Sequence, residues 1–330
     1  MHGAAMTPGN AAARYSSRTV IYAAIAGNLL VALTKFVSAA WTGSAAMLSE
    51  GIHSIVDTGN EVLLLYGLRR STVRPDSEHP LGYGREIYFW SFVVALLVFA
   101  VGAGFSFYEG IAQVVSPMPI RNPAVSYVVL GLSSLFEGST WWIALRNFKG
   151  DKPYRDLFGA IRDSKDPPSF MVLFEDSAAL IGLLVAFVGT YISVNLSLPV
   201  IDGVASIVIG LVLAVTATLL ARETKGLLIG ERANQGIVDA ITRLAEEIEG
   251  IAQANGILTV HLAPQQIVVA LSLEFADELR TPEIEAKVGE LERRVCRLHP
   301  EVVALFVKPQ SGSGFKETSA RRLGSRDHMS

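Results

Sequence analysis

The sequence predicts an α-helical membrane protein, with six transmembrane helices followed by a small cytoplasmic α+β domain of order αββαβ. Three observations carry that prediction. First, the 330-residue chain is 50% hydrophobic and only 18% charged, where soluble domains are about a quarter charged. Second, the deficit is local: residues 18–230 hold long apolar runs, while 231–330 have the composition of soluble protein. Third, Lys and Arg gather on one set of connections between the apolar runs. The net charge of −3 gives no sign of a nucleic-acid partner. The single cysteine, Cys296, excludes an intramolecular disulfide and a cysteine-based metal cluster.

Taken in order, residues 1–17 are small and polar, with no h-region or cleavage site, and read as a disordered tail without a signal peptide. A span needs about 20 mostly apolar residues. Six segments meet that within the transmembrane domain 18–230: 19–41, 44–68, 87–114, 123–145, 169–193 and 200–220. Thr42-Gly43 joins the first two as a helical hairpin. Basic residues set the orientation. One side carries Arg14, Arg18, Arg69, Arg70, Arg74, Arg85, Arg146, Lys149, Lys152, Arg155, Arg162 and Lys165, and the other has Arg121 alone in its short loops. The basic side is therefore cytoplasmic, with both termini inside, as an even number of spans requires. Residues 150–169 read as an interfacial helix and linker.

The soluble region 231–310 is patterned. Residues 234–249 have helical spacing, 256–261 and 267–275 read as strands, and 301–307 as a third. Thr281, Pro282 and Glu283 read as an N-cap, an N1 proline and a first-turn acid opening a helix to about residue 298. The order αββαβ implies a small α+β domain. Residues 311–330, beginning Ser-Gly-Ser-Gly, read as disordered.

The apolar segments also hold charge. His53, Asp57 and Glu61 recur at i, i+4 and i+8, on one helix face that Ser49 extends by a turn. An ionised carboxylate at mid-bilayer costs at least ~2.5–3.5 kcal/mol, so each needs a partner or a wet cavity. Glu175 and Asp176 lie in the fifth span, Asp202 opens the sixth, and Glu109 and Glu137 belong to the third and fourth. At a rise of about 1.5 Å per residue, His53 and Asp57 lie roughly 13 and 20 Å below the outer face. Asp176 lies roughly 11 Å above the inner face, about 19 Å from the outer one in a core about 30 Å thick. One imidazole and two carboxylates at one depth make a site for a divalent cation, with zinc, manganese or iron as candidates. Lys35, in the first span, reads as snorkelling to the surface. Asn28, Gly27 and Gly59 suit close helix packing, and Asp202 as holding the sixth span against the fifth.

At these residues the chain resembles the cation diffusion facilitator family of divalent-metal/proton exchangers, over about residues 18–310. The resemblance rests on "GSAAMLSEGIHSIVDTGNE", "HPLGYGREIYFWSF", "EDSAALIGLLVAFVG" and "VIDGVASIVIGLVLA", in that order. It implies six spans, a cytoplasmic αββαβ domain and a homodimer in the cell's inner membrane. Most zinc-selective members carry His-x-x-x-Asp in the fifth span too. Here Asp176 matches the aspartate, but Val172 stands at the histidine position. Glu175, about 100° round the helix, gives the Glu-Asp pair of one branch, so Glu175 or a water supplies the fourth ligand. Asp76, Glu78 and His79 resemble a secondary metal site of some relatives, but its second histidine is Tyr83 here and the segment reads first as a solvated loop. In the soluble domain Ser272 and Lys308 stand where two ligands are expected, His261 and His299 read as ordinary strand and helix-end residues, and the domain dimerises without metal. Arg85 reads by default as a solvated arginine; the alternative is a pair with Glu231 that ties the bundle to that domain.

The expected activity is export of a divalent cation, zinc first and manganese, iron or cobalt next, in exchange for protons. No resident cofactor is expected; the partners are the metal ion, protons, lipid and a second copy of the chain. A membrane-embedded metalloenzyme is disfavoured, since no His-Glu-x-x-His places a general base beside a metal. A non-transporting sensor or scaffold with the same fold is the other alternative, for which the valine at 172 leaves room.

Overall fold

A computed structural model describes the backbone of residues 8–149 and 165–323, and side chains over 25–146 and 165–321. The chain forms two compact units, one of residues 8–70 and 86–224, the other of residues 71–85 and 225–323.

The first unit is a bundle of long helices. Helix α1 (Pro8–Thr42) and α2 (Ala45–Ser71) form the expected hairpin. Gly43 sits in the left-handed region at φ 71° and donates its N–H to the Ala39 carbonyl at 2.8 Å, a turn that glycine makes without steric cost. The third rod is α3 (Glu86–Leu97), a π-helical segment (Val98–Ala103) and α4 (Gly104–Val115). Then come α5 (Pro123–Lys149), α6 (Pro167–Asn195) and α7 (Val200–Ile229). α6 opens on two prolines, whose missing N–H groups cost nothing in a first turn.

Five of these segments are long and apolar enough to cross a membrane: Ile25–Thr42, Glu86–Val115, Pro123–Arg146, Pro167–Asn195 and Val200–Ile229. The 27-residue α2 is as long, but its Glu50, Asp57 and Glu61 keep it out of that set. The outer surface is greasy: Leu33, Trp41, Leu132, Leu135 and Leu184 are exposed. Small residues dominate the contacts inside. Ala39, Ala46, Ala103, Ala178, Ala186 and Ala205 cluster with Met47, Leu130 and Ile209. At Gly110 and Gly203, α4 and α7 approach so closely that a Cβ on either would meet the other's backbone carbonyl within 2.8 Å. Packing of this kind holds helices together where burial of apolar surface supplies no drive.

The second unit has α8 (Gln235–Glu246), β1 (Ile251–Ala263), β2 (Gln266–Phe275), α9 (Thr281–Leu298), β3 (Val302–Pro309) and α10 (Gly312–Leu323). The sheet order is β1-β2-β3. β1 and β2 are an antiparallel hairpin; β3 lies parallel to β2, with α9 as the crossover that a parallel pair requires. Ile267, Val269, Leu271 and Leu273 alternate along β2 and bury against Ile241 and Ala245 of α8 and Leu291 and Val295 of α9.

The structure departs from the sequence reading at both ends. α1 begins at Pro8, inside the stretch read as a disordered tail. Residues 312–323 are helical: Gly312 donates to the Glu274 carboxylate at 2.9 Å, and Phe315 packs over Gly256, filling the room a side chain there would need. The Ser-Gly-Ser-Gly start had disguised an amphipathic turn. α7 also runs nine residues past the span assigned to it. At α9 the cap is Arg280, one residue earlier than expected; its N–H donates to the Glu283 carboxylate at 2.7 Å. The interfacial helix expected at 150–169 lies largely outside the described residues.

Candidate metal centre

The stripe on α2 divides into parts with different partners. Ser49, its first member, shares a 2.6 Å hydrogen bond with Ser206 of α7, which in turn donates to the Ser106 carbonyl at 2.9 Å. It is structural. His53, one turn on, is 1% exposed, and its Nδ1 is 3.4 Å from Asp57 Oδ1, the i, i+4 approach the spacing predicts. Neither ring nitrogen of His53 has a hydrogen-bond partner.

Asp57 and Glu61 open onto a cavity of about 20 Å³. Glu175 and Asp176 of α6 and Glu137 of α5 line it as well. That volume suits one water or one bare ion. Val172, which stands where the resemblance leads to the expectation of a histidine, is also in its wall. Two amides position the acids. Asn60 Nδ2 donates to Glu175 Oε1 at 3.0 Å, and Asn28 Nδ2 of α1 donates to Glu61 Oε1 at 2.7 Å. Asp57 Oδ1, Glu61 Oε2 and Asp176 Oδ2 are buried oxygens with no hydrogen-bond partner. Buried polar atoms are costly when unpaired. An array of orphaned carboxylate oxygens beside an orphaned imidazole is the donor set a divalent cation satisfies.

The structure thus brings Asp57, Glu175 and Asp176 to one cavity, with His53 beside Asp57 but not in the cavity lining. Among the described residues, no three His, Cys, Asp or Glu side chains are already close enough together to chelate an ion.

Two other sequence assignments change. Lys35 does not snorkel. It is wholly buried, with its ammonium 3.3 Å from Glu50 Oε2, 3.4 Å from Glu137 Oε1 and 2.7 Å from Ser54 Oγ. Three acceptors from α2 and α5 offer more than a route to the surface would. Asp202 clamps α2 rather than the fifth span: it accepts from Ser44 Oγ at 2.7 Å and from the Ala45 N–H, satisfying the first amides of that helix. The sequence signal for Lys35 was present, since an ionisable residue inside a span is a functional candidate by default. Asn28 and Asn60 carried no such signal, because an amide in a span fits packing equally well.

In the second unit, Asp76 Oδ2 accepts from the Tyr83 hydroxyl at 2.7 Å, while Oδ1 accepts from the His79 and Glu78 N–H groups at 2.7 and 2.9 Å. The Tyr83 bond, then the His79 amide, hold this exposed carboxyl below its ordinary range. His79 Nδ1 is 3.7 Å from Asp76. The carboxylate is committed to fastening its loop. Ser272 and Lys308 are register partners across β2 and β3. His261 Nδ1 lies 3.3 Å from the Ala263 carbonyl, and His299 Nδ1 3.2 Å from Glu301. Arg85 and Glu231 both fall in this unit, with Arg85 Nη2 3.4 Å from the Cβ position of Gly230, so any pairing between them would act within it.

With this geometry in hand, a family model for the cation efflux transmembrane domain matches residues 21–229. The chain belongs to the cation efflux, or cation diffusion facilitator, family. It is 28% identical over 258 residues to the mitochondrial proton-coupled zinc antiporter SLC30A9 of Homo sapiens, covering 78% of this chain and 45% of that protein. It is 31% identical over 253 residues to metal tolerance protein C4 of Arabidopsis thaliana, covering 71% and 54%. Against the cation-efflux pump FieF of Escherichia fergusonii it is 23% identical over 296 residues, covering 87% and 90%. The chain thus spans about half the length of the first two relatives. The family and the five apolar helices make it an integral membrane protein.

Proposed function

We propose that this chain exports a divalent metal cation from the cytoplasm in exchange for protons, with zinc the first candidate and manganese, iron or cobalt the alternatives. The observation that carries the reading is the cavity where Asp57 of α2 meets Glu175 and Asp176 of α6, with unpartnered oxygens on Asp57 and Asp176 and with His53 beside Asp57. All six long helices of the first unit cross the bilayer in this reading. α2 does so because its charged face is turned inward and its Ile55, Val62 and Tyr66 are exposed. Both termini lie in the cytoplasm, and the functional particle is a homodimer. The names of the zinc antiporter and the efflux pump support the same cargo class.

The coupling follows from the ligand chemistry. An imidazole binds metal only when neutral and a carboxylate only when ionised, so metal binding expels protons. Release on the other face lets protons return. That no preassembled coordination sphere is present among the described residues fits a site that closes around its cargo in only part of the cycle. The transport reading is favoured over a catalytic one by the family to which the chain belongs and by a cavity lined by five carboxylates, the Asn28 amide, Ser54 and Val172.

The test is zinc-dependent proton flux from the full chain reconstituted in liposomes, repeated with Mn, Fe, Co and Cd. Asp57→Ala and Asp176→Ala are expected to abolish flux in protein that still purifies as a folded species. Normal transport by either variant refutes the site; a parent that binds zinc but moves none makes the chain a sensor or scaffold.

A further inference from the structure

Lys35 is the one described basic side chain sunk entirely in the bundle, and its partners are unequal. Two of the three, Glu137 and Ser54, also line the cavity of the metal centre. The third, Glu50, does not. Glu50 is fully buried, its Oε2 faces the ammonium, its Oε1 has no hydrogen-bond partner, and the missing side chain of Gly182 on α6 makes room for that oxygen.

We infer that Lys35 is a positioning residue for the cargo: its ammonium holds Glu137 in the cavity wall and competes with the incoming divalent ion for that carboxylate, which passes from one to the other as the ion enters and leaves. This rests on the transport reading above and adds to it a fifth side chain that meets the metal and a tethered cation that helps expel it. A divalent ion exerts twice the pull of an ammonium at equal distance, so it can draw Glu137 away. Glu50 keeps Lys35 paired meanwhile, which avoids the heavy penalty of a lone buried charge. When the cavity opens to water and the ion's hold weakens, the ammonium takes Glu137 back. The two cations never need to share it.

The experiment is zinc titration of detergent-purified full-length protein by calorimetry, with liposome flux in parallel. Glu137→Gln is expected to weaken zinc binding roughly tenfold. Glu50→Gln leaves Lys35 with Glu137 as its only carboxylate and is expected to weaken binding too. The double variant Lys35→Met/Glu50→Gln removes one charge of each sign, frees Glu137, and is expected to tighten binding roughly tenfold while slowing turnover. It also keeps the test alive should a single variant fail to fold, since the charge balance is preserved. A purely structural role predicts shifts in one direction that follow loss of thermal stability. That outcome, or an unchanged zinc Kd in both Glu137→Gln and the double variant, overturns the inference. Asp57→Ala separates the failures. If it abolishes flux while the Lys35 set leaves zinc affinity untouched, only this inference falls; if it transports normally, the site itself is wrong.

Discussion

The two units bury opposite things. The C-terminal unit hides Ile241, Val269, Leu271, Leu273, Leu291 and Val295 and shows its charges to solvent. The bundle hides Lys35, Glu50, His53, Asn60, Glu175 and Asp202 and shows Leu33, Leu132, Leu135 and Leu184. In water, removing apolar area is the drive, at about 25 cal/mol per Å². In lipid that drive vanishes between helices, and close packing and polar contacts do the holding. Every charge inside the bundle is then a cost that packing alone gives no reason to bear. A buried leucine in one unit speaks of stability, whereas a buried acid in the other needs a partner, as Asp202 has in Ser44 and the Ala45 amide, or a task.

That contrast can be broken by substitution. The largest effect is expected in the α/β unit. Leu271→Ala removes a side chain that is 1% exposed and should cost about 2–5 kcal/mol. Thermal unfolding of the soluble portion should fall accordingly, while zinc affinity of the whole chain stays put. A change in zinc affinity without a change in unfolding would erase the division of labour. A smaller effect is expected at Asn60→Ala, which strips Glu175 of its donor. An orphaned buried acceptor costs about 1–3 kcal/mol. Because bound metal would supply the missing partner, saturating zinc should raise the variant's Tm by more than it raises the parent's. Equal rises would mean Glu175 takes no part in binding.

The smallest effect belongs to Asp76. Its carboxyl titrates lower in the folded loop than in an unfolded chain, chiefly through the Tyr83 hydroxyl. Such a group contributes in full above its unfolded value, about 3.9, and its contribution fades as pH falls through the depressed folded value. Tyr83 NMR shifts should therefore stay at their neutral-pH positions until below the ordinary aspartate range. They should be displaced at every pH in Asp76→Asn. A Tyr83 transition at the unperturbed aspartate pKa would dissolve the bond.

How much of this could be read from the residues differs by unit for the same physical reason. In the soluble region, period-two and helical patterns reproduce the amphipathic elements because water enforces them, and the order αββαβ matches the elements through Pro309. What was missed there was α10, whose glycines and serines imitate a linker. In the bundle, the i, i+4 spacing of His53 and Asp57 and the depth of Asp176 pointed to one neighbourhood, and the structure puts both acids on one cavity. Depth says nothing of rotation about a helix axis, however. So the sequence could not show that Asp202 turns toward α2, that His53 stands behind Asp57, or that Lys35 finds Glu137 across 102 residues of chain.

The grip of Asp202 on Ser44 and the Ala45 amide has a mechanical meaning. It fastens the start of α2 to the start of α7, while His53, Asp57 and Glu61 lie about two, three and four turns farther along. A rod held at one tip can swing but cannot slide. Small tilts about that pivot become larger sideways travel with distance along the rod, so Glu61 would sweep a wider arc than Asp57, and Asp57 wider than His53.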